Sequence, residues 1–181
     1  FYSTIGGETV VSKTLKTSSG SSIANPRGLA VYGDDIWVVG YGPDKIYRYS
    51  VSEAFPGPGT LNAAEEIALD VSNKHSEGLT IDNTNYLYVL DGADQQFYRY
   101  PHPGGTHAGD PVITSKVLKE TDGDSLINPT GAMLDGTSLW VVDSGTEKLY
   151  EYDITNLFGS GTINATSEFA LDSNNSDPEG L

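Results

Sequence analysis

The stretch Asn25-Pro-Arg-Gly-Leu-Ala30 opens a pattern that returns three more times along the chain. It returns as His75-Ser-Glu-Gly-Leu-Thr80, as Asn128-Pro-Thr-Gly-Ala-Met133 and as Asp177-Pro-Glu-Gly-Leu181. The glycines of this motif stand at positions 28, 78, 131 and 180, so the steps between them are 50, 53 and 49 residues. Such a nearly constant step indicates a tandem repeat, which decides the architecture before any single element is assigned.

Two further landmarks follow the glycine in each complete repeat. The first is a short segment rich in valine and leucine with one aromatic residue. The second is rich in tyrosine, and its apolar and polar residues alternate as in a half-exposed strand. The first landmark is Ile36-Trp-Val-Val-Gly40, Leu87-Tyr-Val-Leu-Asp91 and Leu139-Trp-Val-Val-Asp143, and the second is Ile46-Tyr-Arg-Tyr49, Phe97-Tyr-Arg-Tyr100 and Leu149-Tyr-Glu-Tyr152. The aromatic residue of the first landmark and the first tyrosine of the second lie ten residues apart in all three copies. Both landmarks therefore predict β-strands with a fixed connection.

Alternate repeats resemble each other more than neighbouring repeats do. The stretch from Leu61 to Asp70 matches the stretch from Ile163 to Asp172 at an offset of 102 residues. The stretch from Ser12 to Lys16 matches Ser115 to Lys119 at an offset of 103 residues. A larger unit of two repeats is therefore superimposed on the basic period.

Four predicted strands in each period of roughly 50 residues, without a helical stripe, are typical of one blade of a β-propeller. The predicted fold class is all-β, a single propeller segment of tandem four-stranded antiparallel blades over residues 1–181. The predicted division is a partial blade at 1–24, blades at about 25–74, 75–127 and 128–176, and the start of another blade at 177–181. Three to four blades lie at or below the lower limit for closing a ring, so we expect either a longer protein or closure with another copy.

The quoted motifs also resemble a known family. Pro26-Arg-Gly-Leu-Ala30 with Trp37-Val-Val39, and Pro129-Thr-Gly131 with Trp140-Val-Val-Asp143, are similar to the repeat unit of NHL-type propellers. The longer period resembles repeats of large bacterial secreted and cell-surface proteins. This resemblance implies a propeller in an extracellular or cell-surface setting, but it leaves the biochemical task open because propellers host many functions.

Composition excludes several classes of partner and chemistry. The chain has 10 basic and 25 acidic residues, a formal charge of −15, which disfavours binding to nucleic acid or to anionic membrane surfaces. It has no cysteine, so disulfides, thiolate metal sites and a cysteine nucleophile are excluded. No apolar run reaches the length of roughly 18 residues that a transmembrane helix needs, so we expect no membrane insertion.

The residue before each repeat glycine is a candidate for the central channel, because the first strand of each blade lines it. These channel-facing candidates are Arg27, Glu77, Thr130 and Glu179. The Glu-Gly pairs at Glu77 and Glu179 resemble the carboxylate position of gluconolactonase-like, calcium-dependent hydrolase propellers, which implies a channel Ca²⁺ held by hard oxygen ligands. The alternative is a variable position on a solvated wall, which is favoured by Arg27 because a fixed cation repels Ca²⁺. No cofactor is required by the sequence.

Two other groups of residues have sequence-level interpretations. Asp91 and Asp143 end their predicted strands just before a turn, which is typical of a carboxylate that accepts backbone N–H groups. Gly40 stands at the same position in the first complete repeat, so that role is not needed in every blade. Asn164 and Asn174 begin Asn-x-Ser/Thr patterns and are glycosylation candidates if the protein is secreted.

The predicted function is a non-catalytic propeller module for protein interaction, scaffolding or self-assembly, with a protein or glycan bound at a propeller face. Phe1-Tyr2 aligns with Phe97-Tyr98 of a third strand, and Leu181 lies inside a first strand. Incomplete terminal blades of two chains are therefore predicted to be able to complete each other. The alternative prediction is a calcium-dependent lactonase or esterase, in which a channel metal polarises a carbonyl and activates water.

Overall fold

The computed structural model describes residues 3–5, 8–10, 12–54, 57–82, 86–103, 113–156, 161–175 and 177–181. These residues form short strands, a one-turn α-helix α1 (Val51–Ala54) and a 3₁₀ turn at Ile154–Asn156. Among the described residues, neither helical segment has the length or the apolar character needed to cross a membrane.

Three successive antiparallel sheets form the three blades. The first blade consists of β4 (Pro26–Tyr32), β5 (Asp35–Gly40), β6 (Lys45–Ser50) and β8 (Glu65–Ala68). The second blade consists of β9 (Ser76–Ile81), β10 (Tyr86–Asp91), β11 (Gln96–Pro101) and β12 (Ile113–Lys119). The third blade consists of β13 (Pro129–Asp135), β14 (Ser138–Asp143), β15 (Lys148–Asp153) and β17 (Ser167–Ala170). The remaining strands are β1 (Ser3–Ile5), β2 (Glu8–Val10), β3 (Lys13–Lys16), β7 (Gly59–Asn62) and β16 (Thr162–Asn164). The all-β propeller architecture predicted from the repeat is confirmed.

The ten-residue spacing in the sequence has its origin in the register of each blade. The second and third strands pair so that a valine faces the first tyrosine of the third strand in every blade. These pairs are Val38↔Tyr47, Val89↔Tyr98 and Val141↔Tyr150. The same cross-strand pair at the same turn length fixes the strand pairing of all three blades.

The repeat glycines are required because the inner strands of successive blades approach each other closely. A Cβ placed on Gly28 would lie 2.5 Å from the backbone nitrogen of Leu79. A Cβ on Gly78 would lie 2.9 Å from the nitrogen of Ala132, and one on Gly131 would lie 2.6 Å from the Cα of Gly180. The motif therefore marks the narrow part of the propeller, where only glycine leaves room for the neighbouring backbone.

The hydrophobic core lies between blades. One cluster joins the first and second blades around Trp37 and Tyr100, and another joins the second and third blades around Tyr88 and Tyr152. A third cluster joins the first blade to β3 and β7 around Tyr49. Large aromatic side chains fill the space between twisted sheets, as their regular recurrence in the sequence indicates.

Two strands cross from one blade to its predecessor. The insert between the third and fourth strands of the first blade provides β7, which pairs in parallel with β3 through Leu15↔Leu61. The corresponding insert of the third blade provides β16, which pairs in parallel with β12 of the second blade through Leu118↔Ile163. The described residues between β11 and β12, which end at 103 and resume at 113, contain no such strand. We call the first and third blades insert-bearing and, on this basis, the second blade plain. The two-repeat unit of the sequence is thus the alternation of these two kinds of blade.

Candidate functional site

The inner strands of the three blades and residues 177–181 enclose a cleft of about 370 Å³. Its lining consists of Arg27, Glu77, Asn128, Thr130, Asp177, Glu179 and Gly180. The four residues predicted to face the channel are all among them. Each of the four comes from a different repeat, so the cleft exists only where the repeats meet.

Two of the lining residues, Asn128 and Asp177, were not predicted from the sequence. Each lies two residues before a predicted channel residue, Thr130 or Glu179. Residues two apart on an extended strand point to the same side. Strand periodicity could therefore have identified this second tier of the cleft.

The cleft is acidic, although one guanidinium lies within it. The Arg27 Nε atom is 3.6 Å from an Oε2 atom of Glu77, a loose ion pair at the cleft wall. Burial raises the pKa of Glu77, the nearby Arg27 charge opposes this rise, and the Glu179 carboxylate adds to it. Three carboxylates, including Asp177, face a single arginine in the lining, which leaves an excess of two formal negative charges.

Residues 177–181 are attached to the third blade in the manner of a further inner strand. The Thr130 hydroxyl donates a hydrogen bond of 2.7 Å to the carbonyl of Pro178. Gly131 lies directly against Gly180, as Gly28 lies against the second blade. Glu179 is consequently placed at the cleft wall with an exposed side chain.

Residues next to the lining in the chain include apolar and aromatic groups, since His75 lies two residues before Glu77 and Ile127 directly before Asn128. His75 packs against Tyr41, with ring centroids 5.3 Å apart and an angle of 30° between the ring planes. Ile127, which precedes Asn128 of the lining, is 64% exposed.

Asp91 and Asp143 are fully buried and each accepts four backbone N–H groups at 2.7–3.2 Å. The donors to Asp91 are the amides of Lys74, His75, Ala93 and Asp94, and the donors to Asp143 are those of Ile127, Asn128, Gly145 and Thr146. Each carboxylate ties the turn after its strand to the segment that links two blades. This geometry is that of a structural acceptor.

The first blade replaces that carboxylate by close packing. A Cβ on Gly40 would lie 3.2 Å from the carbonyl oxygen of Ala24 and 3.3 Å from the Cγ2 atom of Ile23. The linking segment is held by a backbone hydrogen bond of 3.0 Å from the Tyr41 amide to the Asn25 carbonyl. The sequence identified Gly40 as a departure but gave no sign of what fills its place.

The described residues contain no group of three or more His, Asp or Glu side chains arranged to hold a metal ion. Glu77 and Glu179 do line the same cleft, together with the side-chain oxygens of Thr130 and Asn128. These are hard ligands that suit Ca²⁺, but Arg27 lies beside Glu77 and opposes a cation there. A channel Ca²⁺ stays a prediction.

The two glycosylation candidates lie away from the cleft lining. Asn164 ends β16 and has an exposed side chain. Asn174 is exposed and its amide group donates a hydrogen bond of 2.8 Å to Asp172. Ser176, which completes the second pattern, lies outside the described residues. Glycosylation at both sites stays a prediction.

No family model matches the chain, and no curated protein matches it. Solved structures do match. A nidogen/laminin complex matches at a TM-score of 0.56 and 16% identity over 89% of this chain and 52% of the other chain. Glutaminyl cyclase from Myxococcus xanthus matches at a TM-score of 0.55 and 13% identity over 77% and 51% of the two chains.

Virginiamycin B lyase from Staphylococcus aureus matches at a TM-score of 0.54 and 16% identity over 86% of this chain and 44% of the other. The chain thus spans about half the length of the solved structures it matches. At these identities the likeness concerns the fold alone, and the fold is that of a β-propeller. Membership of the NHL-type family stays a prediction.

Proposed function

We propose that this chain is a non-catalytic propeller module that binds a partner protein at the cleft, with a basic side chain of the partner as the anchor. The observation that carries the proposal is the acidic cleft itself, in which three carboxylates face one arginine. The module acts in an extracellular or cell-surface setting as an interaction or scaffolding unit. It needs neither a cofactor nor a catalytic group.

Charge and shape favour a basic anchor. Burial and the neighbouring Glu179 charge raise the pKa of Glu77, and a cation placed between the two carboxylates would offset the Glu179 contribution. Arg27 repels a singly charged side chain half as strongly as it repels Ca²⁺ at the same distance, so its presence favours a basic side chain over the metal. The whole chain carries a formal charge of −15, which accelerates encounter with a basic partner and makes binding sensitive to salt. The Tyr41–His75 ring pair and the exposed Ile127 offer aromatic and apolar contact area to the same partner, since His75 and Ile127 lie close to lining residues in the chain.

The comparisons support protein binding as one use of this architecture. One of the matching structures is a nidogen/laminin complex, so a chain with this fold occurs in a protein complex. Two others are named as a cyclase and a lyase, so the fold by itself does not choose between binding and catalysis. The choice rests on the cleft.

The test uses capped pentapeptides of glycine with arginine, norleucine or glutamate at the centre, titrated into the full chain by calorimetry. We expect the arginine peptide alone to bind, more weakly as salt is added. Glu179→Gln should weaken this binding about tenfold, the equivalent of one charge-assisted contact. Glu53→Gln, at an exposed carboxylate on α1, is the matched control and should bind like the parent chain. Equal binding of the glutamate peptide, or an equal loss in the control, would contradict the proposal.

A second candidate is a calcium-dependent lactonase or esterase, favoured by the presence of Glu77 and Glu179 in one cleft. Here the metal would supply a Lewis acid and Glu77 and Glu179 would hold it. This candidate predicts that millimolar Ca²⁺ raises the melting temperature, that EDTA reverses the rise, and that lactones are hydrolysed. Glu77→Gln should abolish all three effects. A melting temperature unaffected by Ca²⁺, without turnover, would exclude it in favour of the binding module.

A further inference from the structure

The inner strand of the first blade exposes two large apolar side chains on one face. Leu29 is 59% exposed and Val31 is 56% exposed. The residues that alternate with them, Gly28 and Ala30, are buried, and both contribute to the joint with the second blade. Because side chains alternate along a strand, Leu29 and Val31 belong to the opposite face, which points away from the second blade.

The second and third blades show what covers the equivalent face of their inner strands. In the second blade the equivalent residues are Leu79, which is 4% exposed, and Ile81, which packs on the core shared with the first blade. In the third blade the equivalents are Ala132, which is 5% exposed, and Leu134, which packs on the core shared with the second blade. Both pairs are covered by the preceding blade.

The preceding blade that suits Leu29 and Val31 is a plain one. Ala132 and Leu134, on the third blade, pack in a cluster with Tyr86, Tyr88 and Leu90 of β10. The third blade is insert-bearing, like the first, and meets the plain second blade. Its joint is therefore the template for the one that the first blade requires.

The outer half of that joint is already present at the first blade. Leu15 of β3 and Leu61 of β7 pack with Tyr49, as Leu118 of β12 and Ile163 of β16 pack with Tyr152. The hydroxyls of the two tyrosines also make the same bond, to the carbonyls of Lys16 and Lys119 respectively. The exposed face of Leu29 and Val31 thus lies on the same side of the first blade as its packed contact with β3, the outer strand of a plain blade.

Charge in the cleft points to the same occupant. The residue before the repeat glycine is glutamate in the second blade and in residues 177–181, and it is Arg27 in the first blade. The side chain of Arg27 is 43% exposed, and within the described part of the chain its ion pair is the 3.6 Å contact with Glu77. A docked inner strand with the Glu-Gly sequence would place a second carboxylate on the free side of Arg27.

We propose that the Leu29–Val31 face of β4 is a docking surface for the two inner strands of a plain blade, equivalent to β9 and β10. The aromatic side chains of the second of these strands cover Leu29 and Val31. The glutamate before the glycine of the first strand pairs with Arg27.

The test completes a plain blade on the full chain. Phe1-Tyr2 aligns with Phe97-Tyr98, so a copy of residues 75–96 is fused directly before Phe1. We expect the melting temperature to rise by about 5 °C, because two apolar side chains become buried. We also expect slower amide hydrogen exchange over residues 26–32.

Two control fusions use the two faces of the added strand. In the first, serine replaces the copies of Tyr88 and Leu90, whose originals face the third blade, and this fusion should lose the stabilisation. In the second, serine replaces the copies of Leu87 and Val89, whose originals face the first blade, and this fusion should keep it. Equal behaviour of the two control fusions, or no stabilisation by the parent fusion, would overturn the proposal.

A sedimentation experiment on the unfused chain tests a different occupant. We expect a monomer at micromolar concentration. A dimer that Leu29→Asp dissociates would make a second copy the occupant and would overturn the proposal as stated.

Discussion

The joint between the first and second blades differs from the joint between the second and third, although the blades are built alike. At the first of these joints the Tyr100 hydroxyl accepts hydrogen bonds from the Asp70 amide and the Asn73 side chain, at 3.1 and 3.0 Å. At the second, the equivalent Tyr152 hydroxyl donates a bond of 3.0 Å to the Lys119 carbonyl. Tyrosines at equivalent positions thus accept hydrogen bonds at one joint and donate a hydrogen bond at the next.

The parallel strands account for this difference. Where an insert-bearing blade follows a plain one, β16 pairs in parallel beside the outer strand β12, and the Lys119 carbonyl at the end of β12 accepts a hydrogen bond from the tyrosine hydroxyl. Where a plain blade follows an insert-bearing one, the described residues contain no such strand, and a turn with the buried Asn73 reaches the tyrosine. The two-repeat period of the sequence is therefore a property of the joints more than of the sheets.

The largest expected effect concerns a feature that the two joints share. Asp91→Ala and Asp143→Ala each remove the acceptor of four backbone amides, and each should cost about 4 kcal/mol of unfolding free energy. Urea unfolding measures this cost. Equal losses would establish that the carboxylates serve the linking segments of both joints alike. A loss below about 1 kcal/mol in either variant would mean that water replaces the carboxylate there.

The repeat glycines test how tightly each joint is closed. Gly28→Ala places a Cβ at 2.5 Å from a backbone atom of the second blade, and Gly78→Ala places one at 2.9 Å from the third. We expect losses of about 3 and 2 kcal/mol, because backbone has to move in both cases. Gly33→Ala is the control, since its Cβ would meet nothing within 4 Å and its positive φ alone costs about 1 kcal/mol. The reverse order for Gly28 and Gly78 would mean that the second joint is the tighter one.

The tyrosine hydroxyls test the difference between the joints directly. Tyr100→Phe leaves the buried Asn73 amide group and the Asp70 N–H without their acceptor, which should cost about 2 kcal/mol. Tyr152→Phe should cost less than about 1 kcal/mol, because the Lys119 carbonyl still accepts the Ala165 amide. Equal losses of unfolding free energy in the two variants would mean that the two hydroxyls stabilise their joints equally, although one accepts hydrogen bonds and the other donates one.

The sequence predicted the elements that depend on local pattern. The repeat glycine, the valine–tyrosine strands and the four cleft residues before the glycines follow from spacing and alternation. The stretch from Leu61 to Asp70, which the sequence matches as a single unit, contains the end of β7 and all of β8, and these two strands belong to different sheets. A parallel strand of three or four residues carries too little pattern to name a partner that is remote in the chain. The direction of the Tyr100 and Tyr152 bonds depends equally on distant neighbours, so the sequence gives no sign of it.

The smallest expected effect concerns the half-buried carboxylates that connect each insert-bearing blade to the segment after a plain outer strand. Glu66 accepts hydrogen bonds from the Lys45 ammonium and from the amide and hydroxyl of Ser18, which together lower its pKa from about 4.5 to about 2. Glu168 makes the equivalent contacts with Lys148 and Thr121, which also lower its pKa.

A carboxylate whose pKa is lower in the folded state stabilises the fold above the unfolded pKa, and this contribution disappears as the pH falls toward the folded value. The unfolding free energy should therefore decline between pH 4.5 and 2, and Glu66→Gln should flatten this decline while changing stability little at pH 7. Glu168→Gln should also flatten the decline of the unfolding free energy between pH 4.5 and 2, because Glu168 and Glu66 make equivalent contacts one two-repeat unit apart. Urea unfolding at several pH values makes the comparison, with Glu53→Gln as the exposed control. A decline as steep in the double variant as in the parent chain would place the acid sensitivity in other carboxylates whose pKa is lowered, such as Asp34 and Glu151.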